Sequence, residues 1–192
     1  MRKIFLAISF IFILFPFSVS GQRSALLLID IQDFYFPGGR VPLVEPEKAA
    51  QNAARLLEHF RKEELTVIHV RHNSEAGGMI HKIVQPLPEE MIFSKDAVNC
   101  FVNTDLLDYL RSKRIDTLVI SGMQTHMCVE AATRAASDYG FKCILVHDAC
   151  TTRDLKYGDR LIKAEDVHYS TLVTLKNYAT VVPVSEYLSG SF

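Results

Sequence analysis

A cysteine where a buried strand turns into a helix, an acid closing another buried strand and a lysine between them are the residues of this chain best suited to covalent chemistry. Cys128 ends the segment Thr117-Leu-Val-Ile-Ser-Gly-Met-Gln-Thr-His-Met-Cys128, in which Leu118, Val119 and Ile120 read as a strand covered on both faces and Gly122 stops it. Val129, Ala131, Ala132, Ala135 and Ala136 then recur at helical spacing, Tyr139 lies near the end of the stripe, and Gly140 is a natural stop. Cys128 is thereby predicted in a first helical turn. Unpaired backbone N–H groups and the positive end of the helix dipole favour thiolate there, so its pKa is expected below the free value of ~8.5. A thiol nucleophile needs a base. Asp30 comes directly after five apolar residues in Ala25-Leu-Leu-Leu-Ile-Asp30, and a carboxylate at the carboxyl end of a parallel strand lies in the crevice where open α/β sheets bind ligands. Lys95, in Met91-Ile-Phe-Ser-Lys-Asp96, supplies a cation. Each has a plainer reading taken alone: a packed thiol, a turn acid and a solvated lysine.

Taken together, the order Asp, Lys, Cys resembles the cysteine-hydrolase branch of the isochorismatase-like family, which includes nicotinamidases and related amidases. The blocks that carry the resemblance are Leu27-Leu-Ile-Asp-Ile-Gln-Asp-Phe34, Lys95 ahead of Thr104-Asp-Leu-Leu107, Leu118-Val-Ile-Ser-Gly-Met-Gln-Thr-His-Met-Cys-Val129 and His147-Asp-Ala-Cys-Thr-Thr152. It spans about residues 24 to 185. It implies a three-layer Rossmann-like α/β fold with a mostly parallel sheet between helices. It also implies a catalytic triad of Asp30, Lys95 and Cys128, an oxyanion hole from the backbone N–H groups of Gln124 and Cys128, and a cis peptide between Met123 and Gln124. Asp30 would take the thiol proton, Lys95 would stabilise the anion, and the thioester would be hydrolysed with Asp30 as base. The branch that cleaves isochorismate lacks the cysteine, so Cys128 argues for hydrolysis of an amide or carbamoyl C–N bond. The alternatives are a non-amide hydrolase of the same fold and a catalytically idle binding protein. Phe34 and Tyr35 are candidate substrate-binding residues, and the substrate is a small molecule.

The elements that must position these groups alternate. A helix is expected from about Pro46 to Lys62, with Ala49, Ala53, Leu56, Leu57 and Phe60 on one face, and a strand over Thr66 to Val70. The stretch from Arg71 to Lys95 carries Gly77-Gly78, Pro86 and Pro88 and reads as a long loop with room for one short element. Then come helix 104–113, the strand and nucleophile helix, strand 142–147, helix 159–177 and strand 180–184. The pocket walls are expected from the turn at Phe34 to Pro37, the 71–95 loop and the 151–158 segment. This is one α/β domain over residues 22–192 with right-handed crossovers.

Composition narrows the function. With 192 residues and 48 % hydrophobic content the chain fills one domain core without disulfide staples. Basic and acidic residues number 21 and 22 with no basic cluster, which points away from nucleic acid. No Gly-x-Gly-x-x-Gly follows the first strand, so no dinucleotide cofactor is expected. The resemblance's metal-binding members carry an Asp-x-His pair after strand two. Here that stretch is Val70-Arg-His-Asn73, so His69 and His72 are read as strand-end or pocket residues, with no metal and no cofactor. His126 lies too near Cys128 in sequence to serve easily as its base. Residues 1–21 read as a signal peptide: Met1-Arg-Lys3, an apolar stretch from Ile4 to Phe17, then Ser18-Val-Ser-Gly21. Cleavage removes Arg2 and Lys3 and no acid, taking the net charge from −1 to −3. The mature protein is expected to be exported, periplasmic or secreted, without stable membrane association. The resemblance implies a homo-oligomer. Of the four cysteines, Cys100 and Cys150 leave a disulfide open, whereas Cys143 lies in a predicted buried strand.

Overall fold

The computed structural model describes residues 23–192, and the expected signal peptide lies outside them. Strand β1 (Ser24–Ile29) is central because every residue after Ser24 is apolar and buried, as a strand roofed on both faces requires. Helix α1 (Pro46–Lys62) begins on a proline, whose missing N–H costs nothing in a first turn, and buries the face expected from its spacing. It leads to β2 (Thr66–His72), then β3 (Met91–Lys95), α2 (Leu106–Ser112), β4 (Thr117–Met123), α3 (Glu130–Asp138) and β5 (Lys142–Thr151). A hairpin of β6 (Leu155–Tyr157) and β7 (Arg160–Ile162) precedes α4 (Ala164–Leu175), β8 (Thr180–Val182) and α5 (Val184–Ser189).

Six strands form one sheet in the order β3-β2-β1-β4-β5-β8, and all their pairings are parallel. Chain direction reverses its march at β1, so the carboxyl ends of β1 and β4 flank a topological switch point, where open sheets leave a crevice. Period-two alternation divides the core. Ala25, Leu27 and Ile29 pack with Leu106, Leu110, Ala132 and Ala136 on one side. Leu26 and Leu28 pack with α1 and Val184 on the other.

The structure sharpens one expectation, corrects another and closes one open point. The 71–95 stretch is not all loop, because its last five residues are an edge strand that pairs with β2 and carries Lys95. The helix expected from 159 starts at Ala164, and the residues before it form the exposed β6–β7 hairpin. Cys100, Cys128, Cys143 and Cys150 are all buried free thiols, so no Cys100–Cys150 bridge exists.

Candidate active site

Three strand ends and one irregular helical turn converge. Asp30 directly follows β1 with φ 49, in the left-handed region, and its N–H still donates to the Val70 carbonyl at 2.9 Å. Lys95 closes β3 and reaches back over β2. Cys128 follows β4 in the turn Thr125–Val129, where the Val129 N–H donates to the Gln124 carbonyl five residues back at 3.3 Å. That wider π winding is a common feature of functional turns. Gly122 makes the approach possible: it has φ 132, and a Cβ there would lie 2.0 Å from the Ile29 carbonyl oxygen. The peptide between Met123 and Gln124 is cis.

The Lys95 Nζ is the hub. It lies 2.8 Å from Asp30 Oδ2 and donates to Cys128 Sγ at 3.2 Å and to the Ala97 carbonyl at 3.2 Å. His72 Nδ1 is 3.3 Å away. Asp30, Lys95 and Cys128 are 0 %, 1 % and 6 % exposed, so water does little to stabilise their charges. Neither carboxylate oxygen of Asp30 accepts a well-directed hydrogen bond. Burial therefore wins on the acid: desolvation raises its pKa although Lys95 and the nearby Cys128 pull it down. Burial also opposes the ammonium, but Asp30 and Cys128 outweigh it and raise the Lys95 pKa. The expected low thiol pKa does not hold. Desolvation and the Asp30 carboxylate push Cys128 up to about 12 against the pull of Lys95, because the first-turn N–H groups act on a sulfur removed from water. These shifts favour a resting thiol at Cys128 beside an ammonium at Lys95.

Around the turn, side chains fix its geometry. Gln124 Nε2 donates to the Tyr35 hydroxyl at 3.4 Å, and Arg153 Nε donates to Gln124 Oε1 at 3.2 Å. Burial raises Tyr35 to about 12, so it stays a neutral phenol. Thr125 Oγ1 pairs with His168 Nδ1 at 2.9 Å, and His126 Nδ1 with Thr152 Oγ1 at 2.6 Å. His126 thus points to Thr152 and not into the triad.

Phe34 is buried beside Tyr35 in an edge-to-face pair, with the Arg40 guanidinium 5.0 Å over its ring. A cavity of about 640 Å³ is lined by Phe34, Phe36, Arg40, Gly77 and His81, but Asp30, Lys95, Cys128 and the expected 151–158 wall take no part in it. His69 Nε2 meets Glu90 Oε2 at 2.9 Å, and the His81 ring stacks on Phe36. Among the described residues, no three His, Cys, Asp or Glu side chains are grouped to hold a metal ion. Two neighbours of the site were not singled out in the sequence for the places they take. Arg153 stands 29 residues from Gln124, and its signal was its place in the 151–158 segment expected to wall the pocket, which did not single it out. His72, two residues past a buried strand, gave no sign that it faces Lys95.

Comparison with known proteins identifies the family and the fold. Residues 24–177 match the isochorismatase domain family. The chain is 43 % identical to the isochorismatase family protein YddQ of Bacillus subtilis over 179 residues, 87 % of this chain and 99 % of that one. The crystal structure of an isochorismatase hydrolase from Oleispira antarctica superposes with a TM-score of 0.83 at 40 % identity, covering 88 % of this chain and 97 % of the other. A more distant relative is the maleamate amidohydrolase of Pseudomonas putida, 28 % identical over 72 % of this chain and 83 % of that one. The chain belongs to the isochorismatase family of hydrolases.

Proposed function

We propose that this hydrolase cleaves the C–N bond of a small amide or carbamoyl compound through a thioester at Cys128. The observation that carries the reading is one ammonium, Lys95 Nζ, set 2.8 Å from Asp30 Oδ2 and 3.2 Å from Cys128 Sγ in a nearly waterless site. In the first half-reaction Asp30 takes the Cys128 proton as sulfur bonds to the carbonyl carbon and the carbonyl electron pair moves onto oxygen. The backbone N–H groups of Gln124 and Cys128 receive that oxyanion. Collapse breaks the C–N bond, and the nitrogen leaves as ammonia or amine with the proton returned from Asp30. Water then gives a proton to Asp30 and its hydroxyl to the thioester carbon. The S–C bond breaks, Asp30 reprotonates the sulfur, and a carboxylic or carbamic acid departs. The raised Asp30 pKa suits a group that must take a proton and later give it back.

Arg153 supports a finer substrate class. Its Nε is held by the neutral Gln124 side chain, which leaves the fork of terminal nitrogens available beside the nucleophile turn for a carboxylate on the substrate. The activity named for the maleamate amidohydrolase relative, whose substrate is an amide bearing a carboxylate, fits that reading. Phe34 and Tyr35 form the apolar side of the same site. The test is a screen of small amides for ammonia release, followed by mass analysis with a slow substrate. Acyl label on Cys128 is expected, and label on Cys100, Cys143 or Cys150 instead would overturn the scheme. Arg153→Ala should raise KM for anionic amides and leave neutral ones little changed.

The same reading extends to the mature form: an exported homo-oligomer starting near Gly21 or Gln22. Residues 1–21 support the export and the start, and the family resemblance supports the homo-oligomer. Intact mass of the protein recovered outside the cytoplasm decides the start, and retention of Met1 to Phe17 in a membrane fraction would replace cleavage with an anchor.

A further inference from the structure

Lys95 has more acceptors than protons to give. An ammonium carries three N–H bonds, yet Nζ is surrounded by Asp30 Oδ2, Cys128 Sγ, the Ala97 carbonyl and His72 Nδ1. Its hydrogen bonds run to Cys128 Sγ and the Ala97 carbonyl, with His72 Nδ1 at 3.3 Å, while Asp30 holds it as an ion pair, and a neutral thiol is the weakest of these acceptors. The balance changes when the thiol proton moves to Asp30. The carboxyl no longer holds Nζ by charge and the thiolate becomes a strong acceptor, so the pull on the ammonium shifts from oxygen to sulfur. The other two anchors then decide whether Nζ stays where the sulfur can use it.

We propose that His72 is a positioning residue whose Nδ1 holds the Lys95 ammonium between Asp30 and Cys128 throughout the reaction. This inference rests on the amidase reading and adds a residue to it. The fold builds the contact deliberately. His72 and Lys95 are register partners at the ends of β2 and β3. The fully buried Gln32 side chain clamps the His72 backbone from both sides, its Nε2 donating to the His72 carbonyl at 2.9 Å and its Oε1 accepting from the His72 N–H at 2.8 Å. The same Nε2 donates to the Gly78 carbonyl at 2.8 Å, tying the start of the following loop to the clamp. To accept from an ammonium, Nδ1 must be unprotonated, so the imidazole proton resides on Nε2. His72 touches no reacting atom and acts through Lys95.

Alkylation of Cys128 by iodoacetamide, followed by mass on the intact protein, reads the site without any substrate. His72→Ala should slow it ~10-fold at fixed pH and lower kcat ~10- to 100-fold on amides found by the ammonia screen, with KM within about twofold, the size of loss seen when an orienting partner is removed. His72→Asn places an amide oxygen near the position of Nδ1 and should restore both rates to within a fewfold. His72→Gln reaches past that point and should not. Wild-type alkylation and turnover in a folded His72→Ala variant would overturn the proposal, as would equal impairment of the Asn and Gln variants. If the wild type turned over no amide, the amidase reading would fall, while the ordering of the alkylation rates would still decide the role of His72.

Discussion

The two ends of β3 carry two buried charge clusters that share residue types and differ in outcome. At its start Glu90 faces His69 and Arg61. Arg61 Nε and Nη2 donate to the carboxylate at 2.7 and 2.8 Å, the Leu87 N–H donates at 2.9 Å, and His69 Nε2 lies at 2.9 Å. Burial opposes the Glu90 charge, but these partners outweigh it and hold the carboxyl at about 2. At the other end Asp30 has one ammonium and no well-directed hydrogen bond, and burial raises its pKa. His69 is pushed down by burial and stays neutral, so it serves Glu90 as a hydrogen-bond donor. The contrast separates a structural acid from a chemical one. Glu90 is satisfied and has no reason to take a proton, whereas Asp30 is left short of donors and can accept one.

Removing the reactive cluster should give the largest effect. Cys128→Ala and Asp30→Asn are each expected to abolish turnover, and the double variant should be hardly worse than either single, because the residues act as one unit. Lys95→Ala should leave at most a small residue of activity. Steady-state rates with a melting curve for each variant check this, and additive losses would break the unit.

Glu90→Gln should show the opposite pattern, with turnover kept and stability lost. The shift from 4.5 to about 2 corresponds to at most about 3 kcal/mol. Urea unfolding measures it, and a loss of activity with unchanged stability would erase the distinction between the two clusters.

pH separates them by sign. Glu90 has a depressed pKa, so its contribution to stability is present above 4.5 and is lost as pH falls through about 2. Asp30 has a raised one, so its contribution is present below the free carboxyl value of 3.8 and is lost as pH rises through its folded value. For catalysis Asp30 must be ionised, and the acid limb of kcat/KM should therefore lie above the usual carboxylate range. An acid limb at or below 3.8 would contradict the desolvation argument.

The smallest expected effect is none at all. Hydrolysis should survive exhaustive chelation, since His72 faces the Lys95 ammonium, a poor neighbour for a bound cation. Activity lost on chelation and restored by zinc or iron would reassign His72.

Much was legible in the chain because it is encoded locally. Buried parallel strands read as unbroken apolar runs, so Ala25 to Ile29 and Leu118 to Ile120 announced themselves, and Asp30 and Cys128 stood at their ends. The edge strand did not. Met91 and Ile92 are exposed and the proline at 88 precedes them, so nothing in Met91-Ile-Phe-Ser-Lys95 alternates or runs apolar as a central strand does. Residues 160–162 are all exposed in β7, and a hairpin lying on the surface leaves little apolar signature to separate it from the helix that follows.

By itself the sequence determined the parallel α/β class, the central strands, and the acid, lysine and thiol as the groups to watch, since each depends on residue type and near neighbours. Tertiary structure alone decided what state those groups take. Burial at 0 %, 1 % and 6 % turned an expected thiolate into a thiol near 12 and raised the acid. The fold also brought His72 to Lys95 across 23 positions and Arg153 to Gln124 across 29. Desolvation and the number of available donors depend on every element packed around a charge, and no local pattern in the chain carries that sum.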